Sequence, residues 1–247
     1  MSQYADQIGF AAGVLVGTRS DIVGGTPIRF GILQDAQLDF SADLKELYGQ
    51  NRYAIALAPG KTKVEIKAKF AGIRGGLFNG FYFGQATTPA TQILFADSEP
   101  GTVALATVTV VNGAKFLSDQ GVYYASTGVP LVQVASAPTV GQYSVAAGGV
   151  YTFNVTDDAA VVNISYTYSS TSGIQIPITN VHMGVGPSFG VVLSQPFDGR
   201  QVTYEFPQCQ SSKLSLPTKQ DDFMISELDF MVSANIAGVI GTINTSL

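Results

Sequence analysis

Between Val64 and Phe70 the chain alternates strictly: Val64, Ile66, Ala68 and Phe70 take one parity, and Glu65, Lys67 and Lys69 the other. A helix of 3.6 residues per turn would scatter both sets around its axis. A strand, with its period of two, gives each set a face of its own. The pattern recurs at Ala36, Leu38 and Phe40 against Gln37, Asp39 and Ser41, and at Val202, Tyr204 and Phe206 against Gln201, Thr203 and Glu205. It recurs again at Val162, Ile164, Tyr166 and Tyr168 against Asn163, Ser165 and Thr167. Near the C-terminus Leu228, Phe230 and Val232 alternate well, but Phe223 and Ile225 share the parity of Glu227, so a bulge is expected there. Half-buried strands of this kind dominate the chain, so the fold class expected is mainly β.

One segment reads as a helix flanking the sheet. Ile73, Leu77 and Phe81 fall at i, i+4 and i+8, and Phe78 and Tyr82 at i and i+4. Gly72, Gly75, Gly76, Gly80 and Gly84 lie in or beside it, each costing about 1 kcal/mol in a helix interior, so such a helix depends on docking. Ala58-Pro59-Gly60-Lys61 reads as a turn. Residues 101–175 differ in composition from the rest, since only Lys115, Asp119, Asp157 and Asp158 are charged there. Short strands are expected at Val103–Val111, Val129–Val134, Val150–Val155 and Val161–Tyr168, with turns at Ala147-Gly148-Gly149 and Thr156-Asp157-Asp158. The organisation expected is a β core from residues 1–100 and 176–247, with 101–175 as a small inserted β module.

Charge bounds the function. Only 13% of the 247 residues are charged, about half the usual fraction, and the net charge is −5. Such a surface is either Ser, Thr, Asn and Gln-rich or is paired with partners. A basic nucleic-acid footprint is missing, and no apolar run is long enough to span a membrane as a helix. Residues 1–10 do not read as a secretory signal, so the Asn-X-Ser/Thr triplets at Asn154, Asn163 and Asn244 are taken as fortuitous.

Catalytic patterns are missing as well. With one histidine, His182, and one cysteine, Cys209, a His/Cys metal cage cannot be built. Ser188 and Asp198 lie near His182 in sequence, but no serine sits in a Gly-x-Ser-x-Gly elbow. Gly184 to Gly190 spells a turn, not a dinucleotide fingerprint. The pairs Asp157/Asp158 and Asp221/Asp222 lack further acidic ligands and read as solvated turn residues. Cys209 reads as a buried inert thiol. No enzyme activity, cofactor or metal is expected.

Three stretches carry a resemblance. They are Gly31 to Asn51, which contains Asp43-Leu-Lys-Glu-Leu-Tyr-Gly49; Gly60 to Ile73 running into Leu77-Phe78-Asn79-Gly80-Phe81; and Lys219 to Phe223 continuing through Gly238 to Thr242. Together they resemble the tail tube proteins of tailed bacteriophages, which are similar to type VI secretion tube subunits. A weaker resemblance covers Pro138 to Tyr143, Gly149 to Phe153 and Asn163 to Tyr168, which look like a β insertion of phage virion proteins.

The resemblance implies a β-sandwich or barrel core of the tail-tube type with one flanking α-helix. It implies six-subunit rings that stack into a hollow tube, a conduit through which viral DNA passes at ejection without specific binding. It implies assembly in the host cytoplasm, residence in the virion tail, and sheath, baseplate and tape measure proteins as partners. On this reading Leu44, Leu47 and Tyr48, in a loop from Asp43 to Gly49, are candidates for ring stacking, and Gln37, Asp39, Glu65, Lys67 and Lys69 for lumen or ring contacts. The inserted module would face a contractile sheath or solvent. The alternative is a baseplate or other virion β-sandwich that binds carbohydrate or a partner, with Tyr123, Tyr124, Tyr143, Tyr151, Tyr166 and Tyr168 as stacking candidates, although the chain has no Trp.

Overall fold

The computed structural model describes residues 13–72, 74–197 and 200–245. In chain order its strands are β1 (Val14–Arg19), β2 (Ile28–Arg29), β3 (Ile32–Tyr48), β4 (Ala54–Ala71), β5 (Thr88–Pro89) and β6 (Gln92–Thr102). There follow β7 (Thr107–Thr109), β8 (Phe116–Tyr124), β9 (Val132–Gln133), β10 (Gln142–Ala146), β11 (Val150–Phe153) and β12 (Val161–Ser170). The last are β13 (Ile174–Gln175), β14 (Phe189–Phe197), β15 (Arg200–Ser215), β16 (Ile225–Val232) and β17 (Thr242–Thr245). The protein is mainly β, as its alternation requires. It divides into two compact units, one made of residues 1–85 and 178–247 and the other of 86–177.

The larger unit is built on one sheet ordered β2-β1-β14-β15-β16-β4-β3, with β17 also paired to β15. Its two ends are joined directly: β2 stops at Arg29 and β3 starts at Ile32. Three Cα steps reach at most about 11 Å, whereas six flat inter-strand spacings would span roughly 29 Å. The sheet must therefore roll until its edges are neighbours, which makes it barrel-like. Inside lie Leu15, Ile66, Leu193, Leu228 and the rings of Phe30, Phe70, Phe81, Phe189 and Phe230, all buried. Phe30, just after β2, meets the Phe70 ring of β4 edge-on at 5.6 Å, which places the two sheet ends across a shared interior.

The expected helix is present in shortened form. Gly75–Phe78 forms α1, and Asn79–Phe83 continues as a wider π turn closed by Gly84 at φ 63°. The Asn79 side chain holds the exit, accepting from the Gln85 amide at 2.9 Å and donating to its carbonyl at 2.7 Å. Leu77, Phe78 and Phe81 are buried; Tyr82 of the expected stripe is exposed, because the wider turn rotates it out of phase, and Ile73 lies outside the described residues. Ser211 of β15 ties the turn to the sheet by donating to the Phe81 carbonyl.

The smaller unit packs two sheets, β7-β11-β10-β9 and β6-β12-β8, around a core that includes Val122, Tyr143, Tyr151, Phe153, Ile164 and Tyr166. A separate short pair joins β5 to β13. The unit begins at Ala86, so β6, which the sequence pattern assigns to the surrounding domain, belongs inside it on β12. β8 is a further strand that the pattern does not announce. Of the expected strands, Val103–Val111 shrinks to β7 and Val129–Val134 to β9; in the first, the backbone turns at Leu105 and Ala106, both at positive φ.

Both neighbours of β12 bulge opposite Ser165. On β6 the register jumps from Glu99 to Ala96, and on β8 from Val122 to Asp119. Each bulge turns a carboxylate toward tyrosine hydroxyls of the core. Asp119 accepts from Tyr143 at 2.5 Å and Tyr151 at 2.8 Å, and Glu99 accepts from Tyr166 at 2.6 Å.

The bulge expected at Glu227 is not there. β16 pairs with β4 without a break from Ile225↔Ala71 to Val232↔Val64. Ser226, buried, keeps the phase of Leu228 and Phe230, while Ile225 shares the outer face with Glu227 and Asp229. The irregularity sits in the partner strand, between Ser211 and Lys213.

Candidate assembly interface: the β-hairpin arm

β3 and β4 are much longer than the sheet that holds them. Pairing between β16 and β4 ends at Val232↔Val64, so from Lys63 back to Ala54 the only neighbour of β4 among the described residues is β3. Ser41 to Tyr48 of β3 and Ala54 to Lys63 of β4 thus form a two-stranded arm roughly 25 Å long. From Phe40 to Lys63 every residue but Ala54 is exposed. Phe40 keeps the core phase of Ala36 and Leu38 yet is 58% exposed, because it lies where the sheet narrows to the arm.

The arm corrects two local readings. Asp43 to Tyr48 is strand, not loop, and Ala58-Pro59-Gly60-Lys61 lies inside β4. The turn chemistry of Pro59-Gly60 appears as a bulge: the partner of Ala42 is Thr62, and that of Leu44 is Pro59, so Gly60 and Lys61 are skipped. Proline is tolerated there because the strand is an edge. The chain reverses at residues 49–53.

Register sorts the side chains. Leu44 faces Pro59 and Glu46 faces Leu57, and the Tyr48 hydroxyl bonds the Glu46 carboxylate two residues away. A β-carbon on Gly49 would stand 2.3 Å from Ile55 Cδ1, so Ile55 folds over the hairpin end. One face of the arm therefore carries Leu44, Tyr48, Ile55, Leu57 and Pro59 around a single carboxylate, Glu46. Leu47, opposite Ala56, lies on the other face with Lys45 and Ala58. The three residues singled out from sequence divide two and one. Ile55 and Leu57, 68% and 62% exposed, were missed, although their alternation with Ala54, Ala56 and Ala58 was legible. An isolated two-stranded hairpin is marginal in water, and this one presents an apolar face with no second layer.

Gln37, Asp39, Glu65, Lys67 and Lys69 do come together, on the outer face of β3 and β4. Gln37 is opposite Lys67 and Asp39 opposite Glu65. The charges pair within the subunit: Lys67 lies 3.9 Å from Asp39, Lys69 3.5 Å from Asp35, and Lys63 3.0 Å from Glu65. The stripe continues onto β16 and β15, where Lys213 bridges Glu227 at 2.7 Å and Asp229 at 3.8 Å. Burial raises the Asp229 carboxyl above the usual carboxylate range, with Glu227 adding to the effect, whereas the hydrogen bond from Lys213 lowers that of Glu227.

The remaining candidates separate. His182 is exposed in a turn, Ser188 bonds the Ser20 hydroxyl, and Asp198 lies outside the described residues. Gly184 to Gly190 leads into β14, not a helix. Cys209 is buried, and burial pushes its thiol up to about 12. Asp157 is not a solvated turn residue: it is buried and accepts from the Tyr124 hydroxyl, while Asp158 accepts from the Ala106 amide. Asp222 pairs with Lys219. Tyr143, Tyr151 and Tyr166 lie in the core, where no sugar can stack on them. Among the described residues no group of three or more His, Cys, Asp or Glu is placed to hold a metal ion.

Compared with models of known protein families the chain matches none, and no curated protein matches it.

Proposed function

We propose that this protein is a structural subunit of a phage tail tube, which closes into six-membered rings that stack into a hollow conduit for DNA. The arm carries this reading: a long hairpin with an apolar face uncovered in the single chain is an element made to be buried by another copy. The resemblance of Gly31 to Asn51 to tail tube proteins falls on the strand that forms half of it. Many repeated contacts along a tube add up, so each can be modest. The outer face of β3, β4 and β16 suits a conduit wall, because its lysines are neutralised by neighbouring carboxylates and present little net positive charge to phosphate. Residence in the virion tail, with sheath, baseplate and tape measure proteins as partners, follows from the same reading.

Negative-stain electron microscopy of the purified protein across a concentration series tests it. Rings and hollow tubes of uniform width are expected. A particle that stays monomeric at every concentration would remove the proposal.

A further inference from the structure

Charge and shape also point to the surface that receives the arm, an inference that rests on the reading that copies of this chain assemble. Charge is distributed unevenly. The arm between residues 42 and 63 holds Lys45, Arg52, Lys61 and Lys63 against Asp43 and Glu46, a net +2. The whole chain carries −5, so the rest of it carries −7. An arm of one sign on a body of the other favours contact between copies.

The larger unit offers a matching recess. A cleft of about 440 Å³ opens where β14 and β15 meet the segment leading into β17, with Val192, Phe206, Pro207, Val239 and Gly241 in its walls and Glu205 among them. Val192 and Val239 are both exposed in the single chain. Neither Glu205 nor Arg52 of the arm has an ion-pair partner among the described residues. Val64, at the base of the arm, pairs with Val232, which pairs with Cys209, which pairs with Phe189 at the start of β14, three residues before Val192 of the cleft.

We propose that the apolar face of one copy's arm, Leu44, Tyr48, Ile55 and Leu57, seats in this cleft of a second copy, with Arg52 meeting Glu205. The contact is heterologous, knob into hole, and so can propagate around a ring.

Mixing two singly substituted proteins, Ile55→Cys and Val239→Cys, under assembly conditions with mild oxidation tests the docking. A disulfide-linked pair containing one of each is expected. Adding Arg52→Glu to the first protein, or Glu205→Arg to the second, should cut its yield roughly tenfold, and combining the two changes should restore it. Rings or tubes that form without the mixed link overturn the cleft assignment while leaving assembly standing. Links only between Ile55→Cys copies mean that arms pack on one another, which also overturns it. Absence of any self-association removes both this proposal and the tube reading.

Discussion

The ring of Phe81 lies over Gly17 so closely that a β-carbon on the glycine would stand 2.6 Å from the Phe81 Cζ atom. Phe81 cannot retreat, because it is buried, stacked on Phe30 at 5.1 Å and against Phe189 at 4.8 Å. Gly17→Ala should therefore destabilise the larger unit by about 1–3 kcal/mol, the usual cost of overpacking. Thermal melting followed by circular dichroism checks this.

Asp119 is the shared acceptor of two core tyrosines. Its removal in Asp119→Ala leaves the Tyr143 and Tyr151 hydroxyls without their partner, at a cost of about 2–4 kcal/mol. Asp119→Asn, which retains one acceptor oxygen, should cost less. The chain has no Trp, and six of its eleven tyrosines lie in the smaller unit, so the change in tyrosine fluorescence during urea unfolding, compared between the variants and the unchanged chain, follows that core.

Much of this architecture was legible in sequence because burial on one side of a strand writes itself as alternation. The core faces of β12 and of β4 from Val64 to Phe70 follow it, whereas β15 changes phase between Phe206 and Cys209, both buried. What escaped are places where two strands decide together. The partner of Leu44 is set by a bulge around Gly60, and nothing local to Pro59-Gly60 separates a bulge from a turn. Ser226 holds a core position that its polarity disguises, which misplaced the irregularity of β16. The division of Leu44 and Tyr48 from Leu47 needs only strand parity, but reading the segment as a loop hid it.

The Cys209 thiol, raised to about 12 by burial, stays protonated at pH 8. The folded protein should not react with a thiol-specific aromatic disulfide reagent at that pH. Stoichiometric reaction is expected only in denaturant, and its onset with denaturant concentration should track unfolding.

Lys213, Glu227 and Asp229 predict a pH signature. The Glu227 carboxyl is lowered in the fold, so its stabilisation is present above the ordinary glutamate range and is lost as pH falls through its folded value. Asp229 is raised, so its ionised form opposes folding above its folded value, and that penalty is absent below its unfolded one. Lys213→Met should lower the melting temperature at pH 7, and Asp229→Asn should leave it level or raise it. Both differences should fade as pH falls far enough to protonate the two carboxylates in the folded as well as the unfolded state.

The central claim is that the arm's apolar face is an interface between copies. It is tested most directly by sedimentation velocity and electron microscopy of three proteins: the unchanged chain, Leu44→Asp/Leu57→Asp, and Leu47→Asp, whose change lies on the opposite face. The account predicts large assemblies for the first, folded monomers for the second with an unchanged circular dichroism spectrum, and a much smaller effect for the third. Assemblies by Leu44→Asp/Leu57→Asp equal to those of the unchanged chain would contradict it.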